Sequence, residues 1–178
     1  YIFNPIILNN LKMINLQTFY DTFPNIFSNS HLLALPVNKV IAVIGTCDTK
    51  LKELLFVKNA ILRNRLVGIV VDISLLGKKN SLVDVFLKDQ MNTLVPELVE
   101  KYDVFPFFIF SLIFFKSAPR IEKSVIMTKA LTQWLLAQVS EKKIFGVIGL
   151  GGSSGTALVS PSFQSLPIGF PKVCLASN

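Results

Sequence analysis

Apolar residues in this chain fall into short β-branched runs separated by longer stretches with helical spacing. Lys39 to Ile44 (KVIAVI) is a strand-length run that ends at Gly45. After the turn GTCDTK, Gly45 to Lys50, the residues Leu51, Leu54, Leu55, Lys58, Ile61 and Leu62 recur at helical spacing, with Asp48 or Thr49 as the natural N-cap. Val67 to Ile73 (VGIVVDI) is a second strand and completes a βαβ unit. Asp72 and Ser74 stand at its carboxyl end, where α/β folds keep ligand-facing residues. Ser81 with Asp84 resembles a capping box. It predicts a broken helix through Leu82, Val85, Phe86 and Asp89 that runs past Pro96 to Tyr102.

Ile121, Val125, Thr128, Leu131, Trp134, Leu135 and Val139 define the clearest amphipathic helix, which ends near Lys142 and Lys143. Ile144 to Ile148 is the next strand. It leads into a glycine and serine loop and then a helix from Ser154 that Pro161 and Pro167 limit, and Lys172 to Ala176 (KVCLA) is a last strand. This order predicts an α/β fold: a mostly parallel, Rossmann-like sheet with helices on both faces.

Two segments break the pattern. Tyr1 to Pro36 is rich in Asn, Phe and Ile without a sustained period and reads as a poorly specified leader, leaving 37–178 as the structured domain. Phe105 to Phe115 (FPFFIFSLIFF) lacks turn signals and polar alternation, and both segments have the composition of translated non-coding sequence. The start at Tyr1 and the stop soon after the last strand lead us to expect a fragment whose domain is incomplete at its C-terminal end.

Composition narrows the function classes. At 178 residues the chain holds one domain with a sizeable core. The hydrophobic fraction is 51%, yet the longest uncharged apolar run, Val104 to Phe115, falls short of the roughly 20 residues that cross a bilayer. The net charge of +7 is scattered. Its densest pairs, Lys78 with Lys79 and Lys142 with Lys143, are not interleaved with aromatics, which argues against direct nucleic-acid binding. Cys47 and Cys174 have no CxxC spacing, and no signal peptide is evident, so a reducing, cytoplasmic setting is expected.

The chemistry concentrates in Gly146 to Leu158, GVIGLGGSSGTAL. A Walker A loop needs a lysine after its last glycine, and here Thr156 follows Gly155. The dinucleotide pattern starts at Gly149 and Gly151, but its sixth position is Ser154 and no carboxylate follows Glu141. Gly151 to Gly155 also reads GxSxG, the nucleophile elbow of serine hydrolases with Ser153 as nucleophile, without an acid and histidine after it. There remains a phosphate cradle of main-chain N–H groups from Gly151, Gly152, Ser153, Ser154 and Gly155, with Ser153 and Thr156 hydroxyls added. Its bland alternative is a tight packing turn. Asp48 and Asp72 end neighbouring strands and would hold a ribose hydroxyl or magnesium, or serve a phosphotransferase; Thr46 and Thr49 cap or contact phosphate.

VIGTCDTK (Val43 to Lys50) with ELLF (Glu53 to Phe56), VVDIS (Val70 to Ser74) and Gly146 to Val173 together resemble the tomato mosaic virus resistance protein family, which has bacterial and fungal relatives. The resemblance implies an ATP-binding N-terminal α/β domain that precedes a TIM-barrel-like domain, and a plant antiviral role in which a viral replication protein is recognised. It implies a binding or regulatory module more than an enzyme, and is compatible with a homo-oligomer. By motif, the family's glycine segment maps to Gly149 through Thr156, its turn to Gly45 through Lys50, and its acidic strand end to Asp72. The family usually has glycine where this chain has Ser154. If that position requires positive φ, Ser154 strains the turn by about 1 kcal/mol or more. For the two unplaced segments the expectation of non-coding origin has a direct test. A spliced transcript that encodes both in frame overturns it.

Overall fold

The computed structural model describes residues 39–76, 79–96 and 115–176. Both the leader, Tyr1 to Pro36, and all but the last residue of Phe105 to Phe115 lie outside the described residues. Phe115 itself is buried in the core.

Five parallel strands form one sheet in the order β3-β2-β1-β4-β5. They are β1 (Val40–Gly45), β2 (Val67–Asp72), β3 (Val85–Phe86), β4 (Gly146–Gly151) and β5 (Lys172–Ala176). The helices are α1 (Cys47–Arg63), the single turn α2 (Met91–Leu94), α3 (Arg120–Ser140) and α4 (Ser153–Gln164). Alternate residues of the central strands point to opposite faces. Val43 and Val70 pack with Leu54 and Ile61 of α1. Ala42, Ile44, Val71 and Val147 pack with Met127, Leu131 and Trp134 of α3 and Leu158 and Val159 of α4. The Rossmann-like sheet with helices on both faces is therefore present.

The chain builds outward from β1 to β2 and β3, then returns through α3 to place β4 on the other side of β1. The reversal creates a switch point between β1 and β4, outside whose carboxyl ends α/β sheets bind ligands. Gly45 pairs with both Asp72 and Leu150, so the ends of β2, β1 and β4 lie level in one row.

Four local expectations change. Strand β3 and a 3₁₀ turn, Leu87–Gln90, replace the first part of the broken helix after Ser81. Asp84 does not cap it: its carboxylate accepts the Val70 N–H at 2.7 Å and the Lys58 ammonium at 2.7 Å, tying this segment to β2 and α1. The rest of that predicted helix, beyond Pro96, lies outside the described residues. Helix α1 starts at Cys47 with Thr46 as N-cap, so Asp48 and Thr49 occupy its first turn. Strand β4 runs through Gly151 and α4 begins at Ser153, so Gly149 and Gly151 are strand residues and Gly152 alone joins the two elements. Pro161 lies inside α4 instead of ending it. Hydroxyl bonds to α3 hold the helix past that missing donor: Thr128 to the Leu158 carbonyl at 3.3 Å, and Thr132 with Ser162 at 3.0 Å.

The glycines of β4 are explained by that close helix. A Cβ on Gly149 would lie 2.6 Å from Val159 Cγ1 and 3.2 Å from the Phe163 ring. One on Gly151 would lie 2.7 Å from Gly155 Cα. Gly149→Ala is expected to destabilise the domain by about 1–3 kcal/mol in urea unfolding, as overpacking does. Combining it with Val159→Ala is expected to recover part of that loss, and strict additivity of the two changes would contradict the contact.

Candidate functional site

Two helix N-termini meet the carboxyl edge of the sheet at the switch point, and their donors are satisfied differently. In α1 each early N–H has a partner. Cys47 N donates to Asp72 Oδ1 at 3.0 Å, Asp48 N to Ser74 Oγ at 3.2 Å, and Thr49 N and Lys50 N to the Thr46 carbonyl at 3.2 and 2.8 Å. Asp72 Oδ1 also accepts from Ser74 N at 2.8 Å and Ser74 Oγ at 2.5 Å. A carboxylate from the neighbouring strand thus does what an N-cap side chain does locally. Thr46 has no such bond to the backbone of α1; its hydroxyl pairs with that of Thr49 at 2.9 Å.

In α4 the first intrahelical bond is Thr156 N to the Gly152 carbonyl at 2.9 Å. The N–H groups of Ser153, Ser154 and Gly155 have no partner among the described residues, Gly152 provides no side-chain cap, and the first turn carries no acidic residue. Free donors and the positive end of the helix dipole coincide there.

The charges around the two helices differ in the same sense. Asp48 and buried Asp72 lie at the start of α1. At α4, Arg120 reaches across from the first residue of α3 and donates from Nη2 to Ser154 Oγ at 3.1 Å. Asp72 Oδ2 is fully buried with no hydrogen-bond partner among the described residues. Lys88, two residues past β3, is drawn toward Asp72 and Asp48, yet burial holds its ammonium below the usual lysine range. Burial, reinforced by the Asp72 charge, pushes the Cys47 thiol well up, so it is protonated at neutral pH and is no nucleophile.

The fold brings Thr46, Asp48, Thr49, Asp72 and Ser74 to the same edge as Gly151, Gly152, Ser153, Ser154 and Gly155. At Lys50 the backbone leaves the helical region (φ −122°, ψ 16°), and its ammonium pairs with Glu53 at 3.2 Å. Gly149 is buried beneath α4, where it serves packing. The Thr156 hydroxyl faces the Gly151 carbonyl at 3.4 Å, so it is directed to the backbone. Ser154 causes no strain, because it lies within α4; among the described residues only Arg65 and Lys142 are non-glycines with positive φ. That observation also removes the strained elbow expected of a nucleophilic Ser153. Asp72 has a structural task that its position in the sequence did not reveal.

Arg120 was not evident from motifs. Its signal is a cation in the first turn of a helix, against that helix's own dipole, which calls for a reason elsewhere. Among the described residues no helix is long and apolar enough to cross a membrane, and no group of three or more acidic, His or Cys side chains is placed to hold a metal.

A model described as the uncharacterised protein family (UPF0261) N-terminal domain matches residues 39–178. A UPF0261 protein of Clostridium tetani is 28% identical over 144 residues, 79% of this chain and 32% of that protein. Two Solanum lycopersicum proteins, the ToMV resistance protein Tm-1(GCR237) and the ToMV susceptible protein tm-1(GCR26), are each 54% identical over 52 residues. That stretch is 29% of this chain and 7% of each tomato protein. The chain thus spans about a third or less of the length of these curated relatives.

Asp72→Ala is expected to cost at least about 2 kcal/mol in urea unfolding, since it leaves the Cys47 and Ser74 donors without their acceptor. In the folded chain Cys47 is expected to resist iodoacetamide at pH 8. The sign of the pH effect follows from the raised thiol: its contribution is intact below an unfolded thiol's pKa of about 8.5 and declines as pH rises above it. Cys47→Ala is expected to lessen that alkaline decline. Rapid alkylation of Cys47 in the folded chain would contradict the raised thiol of this half-buried residue.

Proposed function

Because this chain belongs to the uncharacterised protein family UPF0261, whose N-terminal domain it carries, we propose that it binds a nucleotide at the switch point, with phosphate on the first turn of α4, and acts as a binding or regulatory module. The observation that supports this most is the set of unpartnered N–H groups of Ser153, Ser154 and Gly155 beside the Arg120 guanidinium. Backbone donors, a helix dipole and a planar cation are the groups that recognise phosphate oxygens. The start of α1 is a poor alternative, since its donors are engaged and its charges are negative.

The other half of the crevice suits the opposite chemistry. Asp48, exposed in the first turn of α1, is free to accept a ribose hydroxyl or to face magnesium. Magnesium sites that use one carboxylate complete their shell with water and phosphate oxygens, so exposed Asp48 fits such an ion when phosphate is present, while Asp72 is committed to the start of α1. A bound magnesium would neutralise phosphate charge on that side. The choice of ATP among nucleotides rests on the resemblance carried by GTCDTK, VVDIS and the glycine segment.

An antiviral role has weaker support. The tomato resistance and susceptible proteins are equally similar to this chain, so the shared stretch expresses no preference between those two outcomes. Hydrolysis through Ser153 also has little behind it, because that residue stands in the first turn of α4 with no base beside it among the described residues.

Millimolar ATP is expected to raise the melting temperature of the full chain by several degrees, since ligand at 100 times its Kd stabilises by about 2.7 kcal/mol. Gly152→Asp is expected to abolish that rise while leaving the unliganded melting temperature equal or slightly higher. A carboxylate at that N-cap would satisfy the free donors itself and repel phosphate. No shift in the wild-type chain at millimolar ATP counts against nucleotide binding.

A further inference from the structure

Helices α3 and α4 run side by side in the same direction, joined at Thr128 to Leu158 and Thr132 to Ser162, so their N-termini lie together at the carboxyl edge. Two cations occupy the start of α3. Arg120 donates to Ser154 Oγ with one of its five N–H groups, leaving the others available. Lys123 follows three residues later, close to the same side of the helix. It is only 8% exposed, yet its ammonium has no hydrogen-bond or ion-pair partner among the described residues. The side chain is thus nine-tenths covered, and its charge lacks a partner among the described residues. Helical side chains lean toward the N-terminus of their own helix, and the N-terminus of α3 lies at the carboxyl edge of the sheet. Both cations oppose the α3 dipole, and Glu122 is the acidic residue of that turn.

We propose that Arg120 and Lys123 are specificity-determining residues that clamp the outer phosphates of a nucleoside di- or triphosphate. The clamp makes the site select polyphosphates over monophosphates. This rests on the phosphate reading of α4 and adds to it. Three N–H groups of a single helical turn suffice for one phosphate; each further phosphate adds charge that needs a cation. The glycine segment has no Walker lysine, and α3 delivers the missing charge from outside that segment. Arg120 offers a fork to two oxygens, and Lys123 a point charge beside it.

The test is direct binding of ATP, ADP, AMP and inorganic tripolyphosphate to the full chain by calorimetry at two salt concentrations. Wild type, Arg120→Gln, Lys123→Met and the double variant are compared. Wild type is expected to bind ATP and ADP at least about tenfold more tightly than AMP. Each single variant is expected to lose about tenfold or more for ATP and less than about twofold for AMP, with a shallower salt dependence. The double variant is expected to bind ATP and AMP alike, and Lys123→Arg to retain the preference. Arg120 is exposed, so its variant tests the clamp even if Lys123→Met unfolds, and unliganded melting temperatures check both. Tripolyphosphate that binds with the same sensitivity to both variants supports the clamp and moves the ligand class from nucleotides to polyphosphates. Retention of the ATP preference in the double variant overturns the clamp alone. Equal affinity of the wild type for ATP and AMP does the same. If no phosphate compound binds the wild type, the nucleotide reading fails and the clamp with it.

Discussion

The carboxylate of Asp72, buried at the end of β2, holds the first turn of α1 closed with a single oxygen. That oxygen takes the Cys47 N–H and both Ser74 donors, and Ser74 Oγ in turn takes the Asp48 N–H. The arrangement anchors α1 to the central strands without a local cap. It also decides where a ligand can go. With its donors engaged and negative charge beside it, the start of α1 offers nothing to an anion, although the first βα turn is the phosphate site in dinucleotide-binding folds. The open backbone donors lie instead at the second turn of the switch point, between β4 and α4.

That second turn owes its geometry to steric room. The missing Cβ atoms of Gly149 and Gly151 let α4 settle directly onto β4, and the missing Cβ of Gly45 lets β1 accept the Leu150 carbonyl at close range. The glycines that looked like a loop over phosphate are mainly the means of bringing a helix N-terminus to the sheet edge. The first turn of that helix carries the open N–H groups. The packing reading of the glycine run is what the close approach of α4 to β4 shows, and the proposed binding would use the same approach.

The family relationship and the site geometry bear on different scales. The family model covers most of the described chain, and the bacterial relative extends well beyond it in length. The resistance and susceptible tomato proteins are equally similar to this chain over the same length of 52 residues. The crevice itself is polarised, acidic toward α1 and cationic toward α4. That polarity suits a ligand with a polyanionic end and a polar, hydroxyl-bearing remainder.

Sequence alone determined the strands β1, β2 and β5 and the helices α1 and α3, to within a few residues at their ends, because these depend on spacings of two to four residues that periodicity reads directly. It also located the motif segments that meet at the switch point. It misread Val85–Phe86 as helix, since Asp84 answers to Val70 and Lys58 instead of to its own turn. In the fold Lys50 pairs with Glu53 and Gly149 lies packed under α4. Only the tertiary structure decided which backbone donors remain open, that Asp72 serves as a remote cap, and that Arg120 stands beside Ser154. Those facts join residues 25 to 34 positions apart in the chain. No local pattern encodes them, because the hydrogen-bond partner of a helix end is chosen by what the sheet brings beside it.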